Sequence, residues 1–505
     1  MAADLGVVGA RIFDLQIGLC ALDSGATERW THDGGFVKIP GLAVHDPIEG
    51  TPEVACPRGH CRAGPGMVCL RPGKGLPMRL HSLLCASLCL VALASEPTAA
   101  FANDEGPWKI SVAAGDVDRS NLPLRARITV PQGSPAAEGG AAVRLKLADG
   151  SHVDGQVVPT ELFAPLPRGP YGMEHRDIVF MLPKLEAGNT VELHAELLPD
   201  DPKAEPRLRW VEEPGAAALL LSGKPVVRYE MPTYDASSEE KRLVTYKPFH
   251  HVFDPVTGIR LTKGDGGEFT HHRGIFFGYN RISHGDDKKT MSDCWHCVKG
   301  ARQEHRLMLD EVAGPVEGVQ RVAIDWMGSD GSKVLGEIRE LEVMPAPGGT
   351  VIDFASRLTA DAPVRLDGDP QLAGVHFRAS NEVHESPKAE TYYLRPGVKA
   401  EPGAFRNWPD DKTYVNAPWH AASFVVGGQR YTVLRVNRMA NPGEARMSER
   451  DYARFGSYFE YELAPDRPLQ VGYRFWVQPG ELSLDEAARI AADYQKPAEV
   501  RVTGG

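Results

Sequence analysis

Short segments of alternating apolar and polar residues, separated by Gly, Pro, Asp and Asn, fill the chain from residue 103 onward. Successive side chains of a strand point to opposite faces, so this alternation predicts half-buried strands, and the close spacing is typical of sandwiches and barrels. In residues 457–478, for example, one face carries Leu469, Val471, Tyr473, Phe475 and Val477. The pattern therefore predicts an all-β protein.

One segment, residues 483–495, has a helical pattern instead. Ser483 and Glu486 have the spacing of a capping box, apolar residues recur three and four positions apart, and Pro497 follows. We expect a short C-terminal helix that covers an edge of the β structure.

A segment dense in proline and charge at 199–215 predicts a domain boundary. The expected organisation is a small immunoglobulin-like β-sandwich at 103–205, followed by one large antiparallel β domain at 206–500.

The first hundred residues contain an apolar run after Met78 that has the features of a signal peptide. Arg79, an apolar stretch from Leu80 to Ala94 and a small-residue site at 100–102 predict a signal peptide at 78–102. Export to the periplasm or the medium follows from it. Residues 1–77 lack sustained periodicity and are expected to be a mis-translated or disordered leader.

Charge and cysteine content narrow the functional classes. The net charge of −11 argues against a nucleic-acid partner, and no stretch of about 20 apolar residues predicts a membrane span. Six of the eight cysteines precede residue 103, and the remaining two, Cys294 and Cys297, are expected as a local disulfide or as free thiols.

Seven of the seventeen histidines lie between residues 250 and 305. Because histidine transfers protons, binds metals and makes polar contacts at near-neutral pH, this region is the candidate for a functional site. In FTHHRGIFFGYN, residues 269–280, an extended backbone from 270 places His271 and Arg273 on one face and His272 and Asn280 on the other. Adjacent histidines on a strand cannot both face one site. The glycines beside His272 are expected to leave room for a ligand.

Neighbouring segments supply further candidates. Residues 372–380 place His376 and Arg378 opposite an apolar face, and the planar fork of an arginine matches a carboxylate. Tryptophan beside histidine and acid suits a sugar site, because an indole stacks on the apolar face of a pyranose. Candidates of this kind are Asp293, Trp295, His296, Glu304, His305 and Trp408.

Several motifs are missing from the sequence. It has no zinc-protease spacing, phosphate loop, nucleophile elbow or dinucleotide fingerprint. No cofactor is assigned, although a metal site with ligands from distant strands stays open.

The segments KPFHHVFDPVTGIRLTKGDGGEFTHHRGIFFGYN, DCWH, GDPQLAGVHFRAS and SERDYARFGSYF resemble the bacterial methane oxygenase PmoA-like family over about 230–480. That resemblance implies a super-sandwich similar to the galactose-mutarotase-like fold. The positions that match its motifs are His271, His272, Arg273, Trp295, His296, His376 and Arg378.

The functional hypothesis is an exported protein that acts on a saccharide or glycoside as a hydrolase, lyase or epimerase. The expected catalytic residues are His272, His296, His376, Asp293 and Glu304. The expected substrate-binding residues are His271, Arg273, Asn280, Trp295, His305, Arg378 and Trp408. A non-catalytic glycan-binding protein and a metal-dependent enzyme remain as alternatives, and the oligomeric state stays open.

Overall fold

The structure is a computed structural model that describes residues 108–165, 172–199 and 206–504, together with the backbone of three short earlier strands. These are β1 (Ala26–Trp30), β2 (Ala43–His45) and β3 (Leu70–Pro72), which form a sheet in the order β2-β1-β3. They belong to a unit that spans Met1–Glu96, and every later element belongs to a unit that spans Pro97–Gly505. Apart from these strands, the predicted leader and signal peptide lie outside the described residues.

The second unit consists almost entirely of strands. In chain order they are β4 (Trp108–Ala113), β5 (Arg119–Pro131), β6 (Ala142–Leu147), β7 (His152–Pro159), β8 (Met173–Leu185), β9 (Thr190–Leu197), β10 (Leu208–Glu213), β11 (Ala216–Leu221), β12 (Lys224–Glu230), β13 (Phe249–Val252), β14 (Ile275–Tyr279), β15 (Arg281–His284), β16 (Thr290–Ser292), β17 (Arg302–Ala313), β18 (Gly318–Met327), β19 (Lys333–Ala346), β20 (Gly349–Thr359), β21 (Val364–Asp367), β22 (Ala373–Arg378), β23 (Tyr392–Arg395), β24 (Val398–Lys399), β25 (Trp419–Val426), β26 (Gln429–Asn437), β27 (Arg446–Arg450), β28 (Arg454–Tyr458), β29 (Tyr461–Leu463), β30 (Leu469–Pro479) and β31 (Glu499–Thr503).

Four short α-helices accompany these strands in the residues that the structure describes. They are α1 (Pro135–Glu138), α2 (Glu239–Thr245), α3 (Asn381–Glu385) and α4 (Leu484–Gln495), and single 3₁₀ turns occupy Asp286–Lys288 and Lys388–Glu390. The all-β class is therefore confirmed. No helix in the described part of the chain is long and apolar enough to cross a membrane.

The first sheet has seven antiparallel strands in the order β31-β4-β9-β6-β7-β8-β5. Its core is formed by apolar residues from alternating positions, among them Ile110, Ile128 and Leu145. Strand β31 also lies near β5, so the two edges of the sheet approach each other around this core. The last strand of the chain thus completes a sheet that the first strands of this unit begin.

Two larger sheets form the β-sandwich. One has eight strands in the order β10-β11-β12-β13-β14-β22-β28-β27, and the other has nine in the order β17-β18-β19-β20-β30-β26-β25-β23-β24. Their inner faces meet through aromatic side chains, since the Phe377 ring lies 6.2 Å from that of Phe424 and 6.4 Å from that of Phe475. A four-stranded sheet, β16-β15-β21-β29, lies beside them.

The predicted C-terminal helix is present as α4. The Ser483 hydroxyl accepts the backbone N–H of Glu486 at 3.1 Å, as the capping box predicts. The buried residues Ala487, Ile490 and Ala491 share a core cluster with residues of β26 and β30. The helix therefore covers the outer face of the nine-stranded sheet, while the outer face of the eight-stranded sheet carries most of the candidate residues.

Candidate functional site

The two adjacent histidines lie in a turn that precedes β14. The strand begins at Ile275, so the expected extended backbone from residue 270 is wrong. The backbone N–H of His272 donates to the carbonyl of Phe269 at 2.9 Å, and Phe269 has a φ of 54°. The turn brings both imidazoles to the same side, with ring centroids 4.2 Å apart. The prediction that His271 and His272 cannot face one site is therefore wrong.

Strands β22 and β28 supply the deepest polar groups. Arg378 pairs with Arg454 across the two strands, while Phe377 and Phe455 point into the sandwich core. His376 donates from Nε2 to the carbonyl of Ala373 at 2.9 Å. Its Nδ1 therefore carries a free lone pair, and Arg454 Nη1 lies 3.4 Å from that atom. The predicted alternation over residues 372–380 is confirmed.

A tight turn after β16 positions Asp293, Trp295 and His296. One oxygen of Asp293 accepts the backbone N–H groups of Trp295 at 3.0 Å and His296 at 2.8 Å. The other oxygen lies 2.7 Å from Nδ1 of His296. Because an ionised carboxylate only accepts, Nδ1 carries the proton and Nε2 of His296 remains a base.

Trp295 has a different role from the one expected. It is fully buried, with its ring 4.8 Å from Phe276 and 4.9 Å from His376. A buried indole cannot stack on a sugar, so that part of the prediction is wrong. Its neighbours Cys294 and Cys297 are buried free thiols, in agreement with one of the two expected states.

Gly274, just before β14, and Gly278, within it, also differ from the expectation, because protein backbone occupies the room they leave. A Cβ on Gly278 would lie 2.7 Å from the carbonyl oxygen of Cys294 and 3.1 Å from Cα of Trp295. On Gly274 it would lie 2.0 Å from the carbonyl oxygen of His250. Gly278 thus allows the turn with Asp293 and His296 to pack directly on the strand.

We call the resulting group the histidine–arginine cluster; it comprises His271, His272, Trp295, His296, His376, Arg378, Tyr452 and Arg454. Ring centroids of His271 and His296 are 4.4 Å apart, and those of His272 and Trp295 are 5.6 Å apart. The guanidinium of Arg378 lies 4.6 Å from the Tyr452 ring, and that of Arg454 lies 5.9 Å from Trp295. At the edge of the cluster, Phe269 is 37% exposed and stacks on Tyr452 at 5.4 Å.

The cluster is cationic and strongly desolvated. Burial lowers the pKa of Arg378 and of Arg454 to about 10, and it lowers the pKa of the neighbouring Lys263 to about 7. Burial also lowers the pKa of His271 to about 2 and holds the pKa of His272 well below its usual value. These two imidazoles are therefore neutral at pH 7.

Several buried polar atoms of the cluster have no protein partner. They are both ring nitrogens of His272, Nε1 of Trp295, Nε and Nη2 of Arg378, and Nε of Arg454. Among the residues that the structure describes, Asp293 is the one carboxylate hydrogen-bonded or ion-paired to the cluster. Buried donors without partners are costly, so the cluster is arranged to donate hydrogen bonds to solvent or to a ligand.

Asp293 binds the cluster through His296, and the other five predicted site residues outside the cluster make contacts elsewhere. Arg273 donates to backbone carbonyls at the end of α2 and lies 4.2 Å from the Tyr246 ring. Asn280 accepts the backbone N–H of Asp369. The other three contact neighbours elsewhere: Glu304 contacts Arg302, His305 contacts the Tyr229 hydroxyl, and Trp408 lies under Arg446.

The sequence reasoning missed three contributors: Phe269, Tyr452 and Arg454. All three stand inside quoted segments, but the positive φ that turns Phe269 outward has no local signal in a non-glycine residue. Arg454 is recognisable only from the alternation of β28 around buried Phe455. No three His, Cys, Asp or Glu side chains in the described ranges are arranged to hold a metal ion.

Solved structures with a similar chain path carry names of carbohydrate enzymes. They include a protein of glycosyl hydrolase family 38 from Enterococcus faecalis, at 8% identity over 80% of this chain and 48% of that one, with a TM-score of 0.39. This chain thus spans about half the length of that protein. A galactose mutarotase related enzyme from Lactobacillus acidophilus matches at 10% identity over 54% of this chain and 97% of its own, with a TM-score of 0.26.

A family 36 α-galactosidase from Geobacillus stearothermophilus, solved with raffinose, matches at 9% identity over 56% of this chain and 42% of its own, with a TM-score of 0.28. No functionally curated protein matches the sequence. The resemblance to the methane oxygenase PmoA-like family was wrong, because the profile that matches the large β domain is that of another family. Over residues 216–492 the chain matches DUF6807, a family of unknown function, and it belongs to that family.

Proposed function

We propose that the histidine–arginine cluster binds an acidic sugar residue of a saccharide and transfers a proton at the carbon beside its carboxylate. The observation that carries this proposal is the pair of buried guanidiniums, Arg378 and Arg454, with no carboxylate partner among the described residues. The proposal includes the export predicted from residues 78–102.

An anionic ligand follows from the electrostatics of the cluster. A buried charge without a counterion is unfavourable, which is why the pKa of both arginines is lowered. A bound carboxylate supplies the missing counterion, and guanidinium–carboxylate pairs are strong and geometrically specific. The unpartnered N–H groups of Arg378 and Arg454 are the donors that such a carboxylate needs.

The rest of the cluster suits hydroxyl groups and a ring. The unpartnered nitrogens of His272 and Nε1 of Trp295 provide donors and acceptors for hydroxyls. Phe269, exposed at the edge and stacked on Tyr452, provides the aromatic platform that was expected of Trp295. A polyhydroxylated ring that bears a carboxylate combines these requirements.

Proton transfer is the chemistry that the Asp293–His296 pair supports. Nε2 of His296 accepts the proton from the carbon next to the carboxylate, and Asp293 stabilises the resulting imidazolium. Arg378 and Arg454 stabilise the negative charge that develops on the carboxylate. Elimination or epimerisation fits this arrangement better than hydrolysis by two carboxylates, because only Asp293 is paired to the cluster within the described ranges.

The test is turnover of oligosaccharides of uronic acids by the purified full chain, beside their neutral counterparts and with and without chelator. Products are identified by mass spectrometry and by the absorbance of a new carbon–carbon double bond. We expect an unsaturated or epimerised acidic product, lost at least a hundredfold in Asp293→Asn and unaffected by chelator. Glu304→Gln, at a predicted catalytic residue outside the cluster, is the control and retains activity.

Other outcomes of this experiment would indicate other functions. Products that have gained water contradict proton abstraction and indicate hydrolysis. Binding of acidic oligosaccharides with no turnover, equal in the wild type and in Asp293→Asn, indicates a glycan-binding protein. Loss of activity with chelator indicates a metal-dependent enzyme.

A further inference from the structure

A cavity of 410 Å³ lies between the seven-stranded sheet and the outer face of the nine-stranded sheet. Strand β5 and residues 161–165 form one wall, and β19, β20 and β30 form the other. Its volume falls within the range of roughly 300–1,000 Å³ that is usual for small-molecule pockets. None of the residues of the histidine–arginine cluster lines it.

A shared ion pair joins the two walls, because Arg125 is on β5 and Glu342 is on β19. Nη2 of Arg125 lies 2.7 Å from an oxygen of Glu317 and 2.9 Å from Oε2 of Glu342, so one guanidinium serves two carboxylates. The other oxygen of Glu342, whose residue is 6% exposed, has no hydrogen-bond partner, and neither has Nη1 of Arg125. The ion pair therefore leaves one oxygen of Glu342 without a donor, while Nη1 of Arg125 has only a contact of 3.9 Å with Asp177.

Further fixed contacts hold the wall formed by β19, β20 and β30, and one of them reaches across to residues 161–165. Asp353 binds Arg474 through two hydrogen bonds, of 2.8 and 2.7 Å. Glu340 accepts the backbone N–H of Leu162 at 2.8 Å and pairs with Arg321. These groups are already oriented before any ligand enters, which lowers the entropic cost of binding.

An aromatic ring and a free cation complete the lining. The guanidinium of Arg438 lies 4.8 Å from the ring of Phe163. Within the described part of the chain, the Arg438 side chain makes no ion pair or hydrogen bond, so its donors are available. A planar ring beside carboxylate and guanidinium groups is a composition that suits a sugar, because it offers an apolar face and paired donors and acceptors for neighbouring hydroxyls.

We propose that this cavity is a second binding site, which takes a neutral polyhydroxylated ligand of one or two sugar rings. An anionic ligand is disfavoured because the lining has no excess of positive charge: Asp353 is matched by Arg474 and Glu340 by Arg321, and the three carboxylates of Glu161, Glu317 and Glu342 face the two guanidiniums of Arg125 and Arg438. The uncharged hydroxyls of a sugar suit these paired donors and acceptors. The histidine–arginine cluster, by contrast, has an uncompensated positive charge. The second site thus differs from the first in both place and ligand class, and it does not depend on the function proposed there.

The experiment measures binding to the full chain of methyl glycosides of glucose, galactose, mannose and xylose and of the corresponding neutral disaccharides. Calorimetric titration gives the affinity, and the melting temperature rises when a ligand binds the folded state alone. We expect at least one of these sugars to bind, and the affinity to fall at least tenfold in Phe163→Ala and in Arg438→Ala. A melting curve of each variant without ligand checks that it is folded.

Arg430→Ala is the matched control, because Arg430 is on β26, the strand that ends one residue before Arg438, and also lies over an aromatic ring, Tyr392, but outside the cavity. This variant should bind like the wild type, and so should Arg454→Met. The proposal is overturned if no neutral sugar of the panel binds at millimolar concentration. It is also overturned if binding is lost in Arg454→Met but kept in Arg438→Ala, which would place the sugar in the first site.

Discussion

Replacing Arg454 by methionine tests whether the histidine–arginine cluster holds a charge without a counterion. The side chain is 1% exposed, and burial lowers its pKa to about 10. That value is roughly two and a half below an ordinary guanidinium, and each pKa unit is worth about 1.4 kcal/mol, so the charge costs the folded state about 3 kcal/mol. Because a cation with a lowered pKa destabilises the fold at every pH below that pKa, the full cost is present at neutral pH.

The substitution also removes favourable contacts. Nη1 of Arg454 donates to the carbonyl of Gln371 at 2.7 Å, and a hydrogen bond from a charged group contributes about 1.5–3 kcal/mol. Methionine fills a similar volume without charge. The two effects nearly cancel, so we expect the free energy of unfolding of Arg454→Met to lie within about 1 kcal/mol of the wild type.

Arg395→Met is the matched comparison, because Arg395 is also buried but binds both oxygens of Glu449. Its removal leaves that carboxylate buried with less compensation and should cost about 3 kcal/mol or more. Urea denaturation at neutral pH, followed by tryptophan fluorescence, measures both variants. Equal destabilisation of the two variants would refute the reasoning, since Arg454 would then be as well compensated as Arg395.

Two further substitutions test the contact that positions Asp293 and the protonation of a carboxyl group that lines the second cavity. Gly278→Ala places a Cβ 2.7 Å from the carbonyl oxygen of Cys294, so the turn that carries Asp293 must move. We therefore expect the free energy of unfolding to fall by about 1–3 kcal/mol and turnover to decrease. An unchanged melting temperature and unchanged turnover would contradict this close approach. Burial raises the pKa of Glu317 from 4.5 to about 7, so the folded state binds a proton more tightly than the unfolded state, and stability should fall as pH rises from 4.5 through about 7. Melting temperatures measured across that range should show this slope in the wild type and a weaker slope in Glu317→Gln; equal slopes would mean that Glu317 does not titrate there.

The sequence predicted those features that depend on local periodicity. The apolar faces of β22 and β30 follow from a period of two, and α4 follows from the spacing of Ser483 and Glu486. Each of these signals is complete within about a dozen residues, so the chain far away does not alter them.

The features that were missed depend on contacts between distant segments. Trp295 is buried because Gly278, on another strand, allows its turn to approach. His271 and His272 share a site because the turn after Phe269 replaces the expected strand. The uncompensated charge of Arg454 depends on which carboxylates are absent around it in the described structure, and no local pattern shows that.

The position of strand β31 in the chain determines when the seven-stranded sheet can be completed during synthesis. It pairs with β4, so residues Glu499–Thr503 complete an edge of the sheet that begins at Trp108–Ala113. During synthesis, nearly all of this unit must leave the ribosome before β4 gains its final neighbour. Until then the edge of β4 remains open to pairing with another chain. The sheet that begins this unit is thus closed by a strand that follows both large sheets in the chain, and the unpaired edge of β4 is an aggregation risk throughout that interval.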